Sequence, residues 1–115
     1  MAPVEFTDAF HTWWSTLTEQ EQDDPTAVIE LLAERGVNLH FPLSSGLEGS
    51  KHSHMRELRI QSHGDPIRIL YAFDPRRSAG LLIGGLKSGN ERRFYRELVA
   101  QADKLYDQHL ASLKK

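Results

Sequence analysis

Three short apolar segments, residues 56–61 (RELRIQ), 67–73 (IRILYAF) and 79–84 (AGLLIG), follow one another with five residues between each pair. Segments of this length, rich in branched and aromatic side chains, read as strands and are too short for buried helices. The intervening residues carry turn chemistry. His63-Gly64-Asp65-Pro66 and Asp74-Pro75-Arg76-Arg77 supply φ freedom, a preset φ and side-chain acceptors. Connections this short permit hairpins and not crossovers, so residues 56–84 are predicted to form an antiparallel meander.

Helical periodicity flanks the meander. Thr7 or Asp8 can cap a first helix in which Phe10, Trp13, Trp14 and Leu17 recur at i, i+3, i+4 and i+7. The two tryptophans read as core, because aromatics that stack nucleobases sit beside basic residues and these sit among acids. Thr18-Glu19-Gln20-Glu21 has capping-box spacing and opens a second helix with Val28, Leu31 and Leu32 inward until Gly36. Pro25, with Asp24 as a second cap, predicts a break or kink in that helix. Residues 37–54 read as a long connection. A final helix from about residue 91 to 110 carries Phe94, Leu98, Ala102 and Leu105 on one stripe, and a short leading strand is possible at Val4–Phe6. The sum is a single α+β domain over residues 1–115. Its N-terminal helical hairpin and C-terminal helix are expected on one face of a small antiparallel sheet.

Charge divides the chain. Residues 1–50 hold Arg35 against nine acidic residues, a net of −8, whereas residues 51–96 hold ten basic against four acidic, a net of +6. A basic sheet surface suits an anionic polymer; equally, an acidic helical layer and a basic sheet can simply attract each other. No cysteine is present, which excludes disulfides and thiolate metal sites. No apolar run approaches a membrane span and MAPVEFTDAF lacks signal-peptide character, so the chain reads as a soluble cytoplasmic protein with no membrane partner.

Strand alternation sorts the candidate chemistry. Leu58 and Ile60 share one face of the first strand, while Glu57, Arg59 and Gln61 share the other. In the second strand Ile67, Ile69, Tyr71 and Phe73 form the large apolar face, leaving Arg68, Leu70 and Ala72 on its reverse. Packing the apolar faces on the helices gathers Glu57, Arg59 and Arg68 on an open face. Lys87 lies past the third strand, and Arg92, Arg93 and Tyr95 open the last helix near the same edge. A carboxylate ringed by guanidinium groups can act as a base toward a hydroxyl while the Arg forks hold a phosphate. The bland counterpart is an ion-pair cluster that solubilises an exposed face. His52, His54 and His63 have no acidic or thiol partner at ligand spacing, so no metal site is expected, although a loop imidazole can serve as acid or base. Gly84-Gly85 is no phosphate loop: GxxxxGK[ST] is absent, and no cofactor is expected.

The run GSKHSHMRELRI followed by IRILYAFDPRRSAGLLIGGLKSGNERRFYRELVAQADKLYDQHL resembles the RelE/ParE superfamily of toxin–antitoxin toxins, and within it the HigB-like, phage Gp49-like branch. The resemblance implies a RelE-like fold and a ribosome-dependent, metal-independent endoribonuclease, an mRNA interferase that inhibits translation by attack of a ribose 2′-oxygen on the adjacent phosphate. It puts Glu57 and Arg59 at paired strand positions, Arg68 on the next strand, Lys87 after the last strand, and Tyr95, or one of Arg92 and Arg93, at the C-terminal catalytic position. Lys51, Arg56, Arg76, Arg77, Arg92 and Arg93 are the accompanying candidates for RNA contact. Some RelE-type toxins carry lysine where Glu57 stands, which leaves the general base open among Glu57, Tyr95, His52 and His54. The implied partners are the ribosome, messenger RNA and a separately encoded antitoxin of helix-turn-helix type. Two other readings share the fold: a ParE-like DNA gyrase inhibitor without nuclease activity, and a degenerate toxin confined to antitoxin binding and operon control.

Overall fold

The predicted meander is the centre of a five-stranded mixed sheet. The computed structural model describes residues 1–61 and 64–114. Along the chain run β1 (Val4–Phe6), α1 (Asp8–Trp14), α2 (Glu19–Arg35), a single 3-10 turn (Gly36–Asn38), β2 (Ser44–Gly46), β3 (Arg56–Ile60), β4 (Ile67–Phe73), β5 (Ala79–Leu86) and α3 (Glu91–Ser112). The sheet order is β1-β5-β4-β3-β2. All pairs are antiparallel except β1 with β5.

The predicted helix starts are built from side-chain caps. Thr7 Oγ1 accepts from the Phe10 N–H at 2.9 Å and donates to the Leu82 carbonyl at 2.7 Å, which ties α1 to β5. Thr18 and Glu21 form the reciprocal capping box of α2. Asn90 caps α3 by accepting from the Arg93 N–H at 3.0 Å. In the first hairpin, Gly64 takes φ 86°, the left-handed region that glycine enters without steric cost. His63 lies outside the described residues, and with it the readings of that residue in the turn and in a histidine metal site.

Three expectations are corrected. The helices do not share one face. Val28 and Leu32 of α2 pack with Leu58, Ile60, Ile67, Ile69 and Tyr71, while Leu98, Val99, Ala102 and Tyr106 of α3 cover Leu70, Ala72, Leu82 and Ile83 on the reverse. The reason is that β4 and β5 are apolar on both faces, so an open reverse face would leave Leu70 and Ala72 in water. Second, α2 runs through Pro25 without a break. The proline forgoes one helix hydrogen bond, but its ring is fully buried and the capping box secures the first turn. Third, the long connection is partly ordered: β2 adds an edge strand to β3, and Ser44 Oγ lies 2.6 Å from the Tyr71 hydroxyl in the interior.

Two glycines let the helices approach the sheet. A Cβ at Gly84 would collide with the Trp13 ring, and one at Gly85 would come within 3.0 Å of Phe94. Trp13 touches both core clusters, as the core reading of the tryptophans requires. The Phe94 contact seats the N-terminal turns of α3 on the sheet, and this delivers the next residue, Tyr95, to the strands.

Candidate active site

Alternation in β3 turns Glu57 and Arg59 toward the α3 side, and the register sets Arg59 directly opposite Arg68 of β4. Two like charges side by side require a counterion. Glu57 supplies it: its carboxylate lies 3.4 Å from Arg59 Nη1 and 3.6 Å from Arg68 Nε. Tyr95 closes the cluster by donating from its hydroxyl to Glu57 Oε1 at 2.7 Å and accepting from Arg68 Nε at 3.2 Å. Arg68 also donates from Nη1 to the Ile67 carbonyl at 3.1 Å.

Arg68 is only 2 % exposed and Glu57 5 %. The expectation of an open-face Arg68 is therefore corrected, and the cause is the coverage of that face by α3. Arg59 and Tyr95 are half-buried and form the part of the cluster that solvent reaches. They line a cleft of about 410 Å³ with Gly46, Leu47, Glu48, Glu57, Lys87 and Glu91. Lys87 Nζ sits 5.7 Å from the Tyr95 ring centroid and pairs with Glu91 at 2.5 Å. A larger cleft of about 580 Å³ shares Glu48 and Tyr95 but lacks the carboxylate–phenol pair.

The protonation states follow from these contacts. Burial raises the Tyr95 hydroxyl above its ordinary range, and the bond to the Glu57 carboxylate adds to this against the opposing pull of Arg68. Tyr95 is thus a neutral phenol at pH 7. The Lys87 ammonium lowers the Glu91 carboxyl, with smaller contributions from Arg68 and Arg59. Glu91 therefore senses the positive field of the site from its rim.

The five residues expected to be catalytic, Glu57, Arg59, Arg68, Lys87 and Tyr95, thus come together. Those expected to touch RNA scatter. Arg92 and Arg93 are exposed on the first turn of α3, where Arg93 pairs with Glu97 at 3.1 Å. Lys51 pairs with Asp107 at 3.1 Å. Arg56 is on the other face of β3, donating to Ser44 Oγ at 2.9 Å. Arg76 and Arg77 lie beyond Phe73, five residues and roughly 17 Å of strand from Arg68. Arg76 there donates to Glu5 and to Asp74, each at 2.7 Å. Glu5, Asp74 and His109 are close enough to hold a metal ion, but the Arg76 guanidinium already supplies the positive charge to both carboxylates.

His52 and His54 are also removed from the cluster. His52 Nε2 lies 2.8 Å from Asp107 and His54 Nε2 lies 2.9 Å from the Tyr106 hydroxyl. Asp107 is twelve residues, roughly 18 Å of helix, beyond Tyr95. Sequence reasoning did not find Glu91, although its spacing of four from Lys87 is the signature of such a pair. Nor did it find Gly46, Leu47 and Glu48, which reach the cleft only because β2 joins the sheet.

The family model for phage-derived Gp49-like proteins (DUF891) matches residues 12–107. The chain belongs to this family. Two relatives from Mycobacterium tuberculosis (strain ATCC 25618 / H37Rv) are named "Putative toxin HigB2" and "Putative toxin HigB3". The first is 39 % identical over 103 residues, 89 % of this chain and 51 % of its own length. The second is 39 % identical over 100 residues, 87 % of this chain and 86 % of its own length. The chain thus spans about half the length of one relative and most of the other, and it falls on the HigB-like branch of the Gp49-like family. A solution structure of a conserved hypothetical protein, HP0894 from Helicobacter pylori, aligns at 22 % identity and TM-score 0.44, covering 75 % of this chain and 94 % of that one.

Proposed function

We propose that this Gp49-like protein is the toxin of a type II toxin–antitoxin module and that it cleaves messenger RNA on the ribosome without a catalytic metal. The observation that carries the reading is the hydrogen-bonded chain from Arg68 through the Tyr95 hydroxyl to the Glu57 carboxylate, opening into a cleft edged by Arg59 and Lys87. The toxin names of the HigB-like relatives support the toxin part of this reading. A separately encoded antitoxin of helix-turn-helix type is the partner this reading requires. No helix among the described residues is long and apolar enough to cross a membrane.

In this mechanism Tyr95 faces the substrate and Glu57 backs it. The ribose 2′-OH gives its proton to the Tyr95 oxygen as the phenol passes its own proton to Glu57, so no free phenolate is formed. The 2′-oxygen bonds to phosphorus, the bond to the 5′-oxygen breaks, and the leaving oxygen takes a proton from Lys87 or water. The products are a 2′,3′-cyclic phosphate and a 5′-hydroxyl. Arg59 binds the non-bridging oxygens as charge grows on them. Arg68 is a positioning residue: buried, it fixes the Tyr95 hydroxyl and, with Arg59, holds the Glu57 carboxylate between two cations. His52 and His54, on the connection before β3, are held against Asp107 and Tyr106 of α3, well beyond Tyr95 along that helix and too far away to compete as the base.

The test is induced expression without antitoxin, followed by mapping of message 5′ ends in translating and translation-blocked cells. The reading predicts growth arrest and cuts confined to translated messages. Intact messages with defective DNA supercoiling would replace it with the gyrase reading.

A further inference from the structure

We propose that Phe41 is a nucleobase-stacking platform beside the cleft, an inference that rests on the nuclease reading above and adds a base-binding subsite to it. Among the described residues Phe41 is an exposed large apolar side chain, 72 % accessible, and the Arg59 guanidinium lies 5.5 Å from its ring centroid. Phe6, another exposed aromatic among the described residues, instead packs against Phe10 and His11. Phe41 therefore meets the condition that the tryptophans fail: its neighbour is a cation of the proposed phosphate site.

The geometry fits a nucleotide. Arg59 is held at one end by Glu57 at 3.4 Å and reaches Phe41 at the other, so ring and carboxylate flank a single guanidinium. Arg59 also lines two clefts, the one containing Glu57 and Tyr95 and a second of about 500 Å³ bounded by Pro42, Leu43 and Arg68. A nucleotide joins a phosphate to a flat base through one ribose. A phosphate gripped by Arg59 thus carries its base within reach of the Phe41 ring, and every base presents a π-face for stacking. An unpaired base is also the form in which single-stranded RNA is read, by stacking on aromatic side chains. The guanidinium further fixes the ring by a cation–π contact before RNA arrives. Trp would serve at this position in place of Phe.

A double perturbation on programmed ribosomes tests the proposal. Cleavage is measured for wild type, Phe41→Ala and Phe41→Trp on a message carrying its normal codon and on messages with one abasic nucleotide at each codon position in turn. The expected result is a fall of about 5- to 150-fold in kcat/KM for Phe41→Ala, the range that loss of one stacked base gives, with Phe41→Trp recovering most of that loss. At one position the abasic message should cost wild type the same factor and cost Phe41→Ala nothing further. Melting temperatures should match wild type, since an exposed side chain has little packing to lose. Equal cleavage by Phe41→Ala, or the same loss on normal and abasic messages, would overturn the stacking role. Unimpaired cleavage joined to weakened neutralisation by antitoxin would also overturn it and assign Phe41 to a protein interface. Failure of the wild-type protein to cut any message would be a failure of the nuclease reading itself.

Discussion

Replacing Arg68 by Met removes the buried cation while keeping most of its aliphatic volume, so the loss is electrostatic and not a cavity. Three contacts disappear: the ion pair to Glu57 at 3.6 Å, the bond to the Tyr95 hydroxyl at 3.2 Å and the bond to the Ile67 carbonyl at 3.1 Å. Stripping one partner from a buried pair costs about 3–5 kcal/mol when the other charge is left alone. Glu57 is not left alone, because Tyr95 still donates at 2.7 Å and Arg59 stays at 3.4 Å. Repulsion between Arg59 and Arg68 across the strands is relieved as well. The net cost should therefore be about 2–3 kcal/mol, and at roughly 4 °C per kcal/mol for a domain of this size the melting temperature falls by about 8–12 °C. Circular dichroism melts at pH 7 read this directly. The double variant with Glu57→Gln should cost at least about 1 kcal/mol less than the sum of the singles, because both act on one network. A single variant melting within about 2 °C of wild type would refute the reasoning and restore the exposed-face arginine that strand alternation alone predicts.

Tyr95→Phe should lower cleavage by about 10²- to 10⁴-fold through loss of the proton path, while circular dichroism still reports a folded protein; activity near wild type would remove Tyr95 from the chemistry. Gly84→Ala must displace the Trp13 ring and should cost about 1–3 kcal/mol in urea unfolding, more than Gly85→Ala at its 3.0 Å contact; equal small losses would contradict the packing described. For Asp74, burial alone would raise the carboxyl, but hydrogen bonds from Arg76, His109 and the backbone of Ser78 outweigh it and hold it at about 2, below the ordinary 3.8. A depressed folded pKa gives stability that is fully present above the unfolded value and is lost as pH falls through the folded one. The stability gap between wild type and Asp74→Asn should accordingly be constant above about pH 5 and shrink toward pH 2; a gap independent of pH would show that the Asp74 charge contributes nothing.

The legible parts of the sequence were those where one local rule had no competitor. The hairpins follow from Gly64, Asp65 and Pro66 and from Asp74 and Pro75, and the helix starts follow from Thr7 and from the Thr18–Glu21 box. Alternation also gathered Glu57, Arg59 and Arg68 on one side of the sheet. What alternation does not say is which helix covers that side. Leu70 and Ala72 share it with Arg68, and the two apolar residues decided the matter by drawing α3 over the face. An arginine in a strand reads as a solvent marker, yet Glu57 and Tyr95 allow it to be buried. Net charge misleads for a related reason: counts along the chain assume that nearby residues share a surface, whereas Arg56 turned to the opposite face and Arg76 was neutralised by Glu5 from β1. Pro25 inside α2 and the β2 edge strand depend on tertiary burial, which local propensity does not carry.

The central claim is transfer of the 2′-proton through Tyr95 to Glu57, and the chemical form of the cut end records it most directly. Purified protein added to programmed ribosomes should leave a 2′,3′-cyclic phosphate or its 3′-phosphate hydrolysis product, with a 5′-hydroxyl on the downstream fragment. Glu57→Gln and Tyr95→Phe should lose that product in the same buffer in which the His52 and His54 double substitution retains it. A 3′-hydroxyl with a 5′-phosphate would mean that water, and not the ribose, attacked the phosphate, and it would contradict the proposed role of every residue in the cluster.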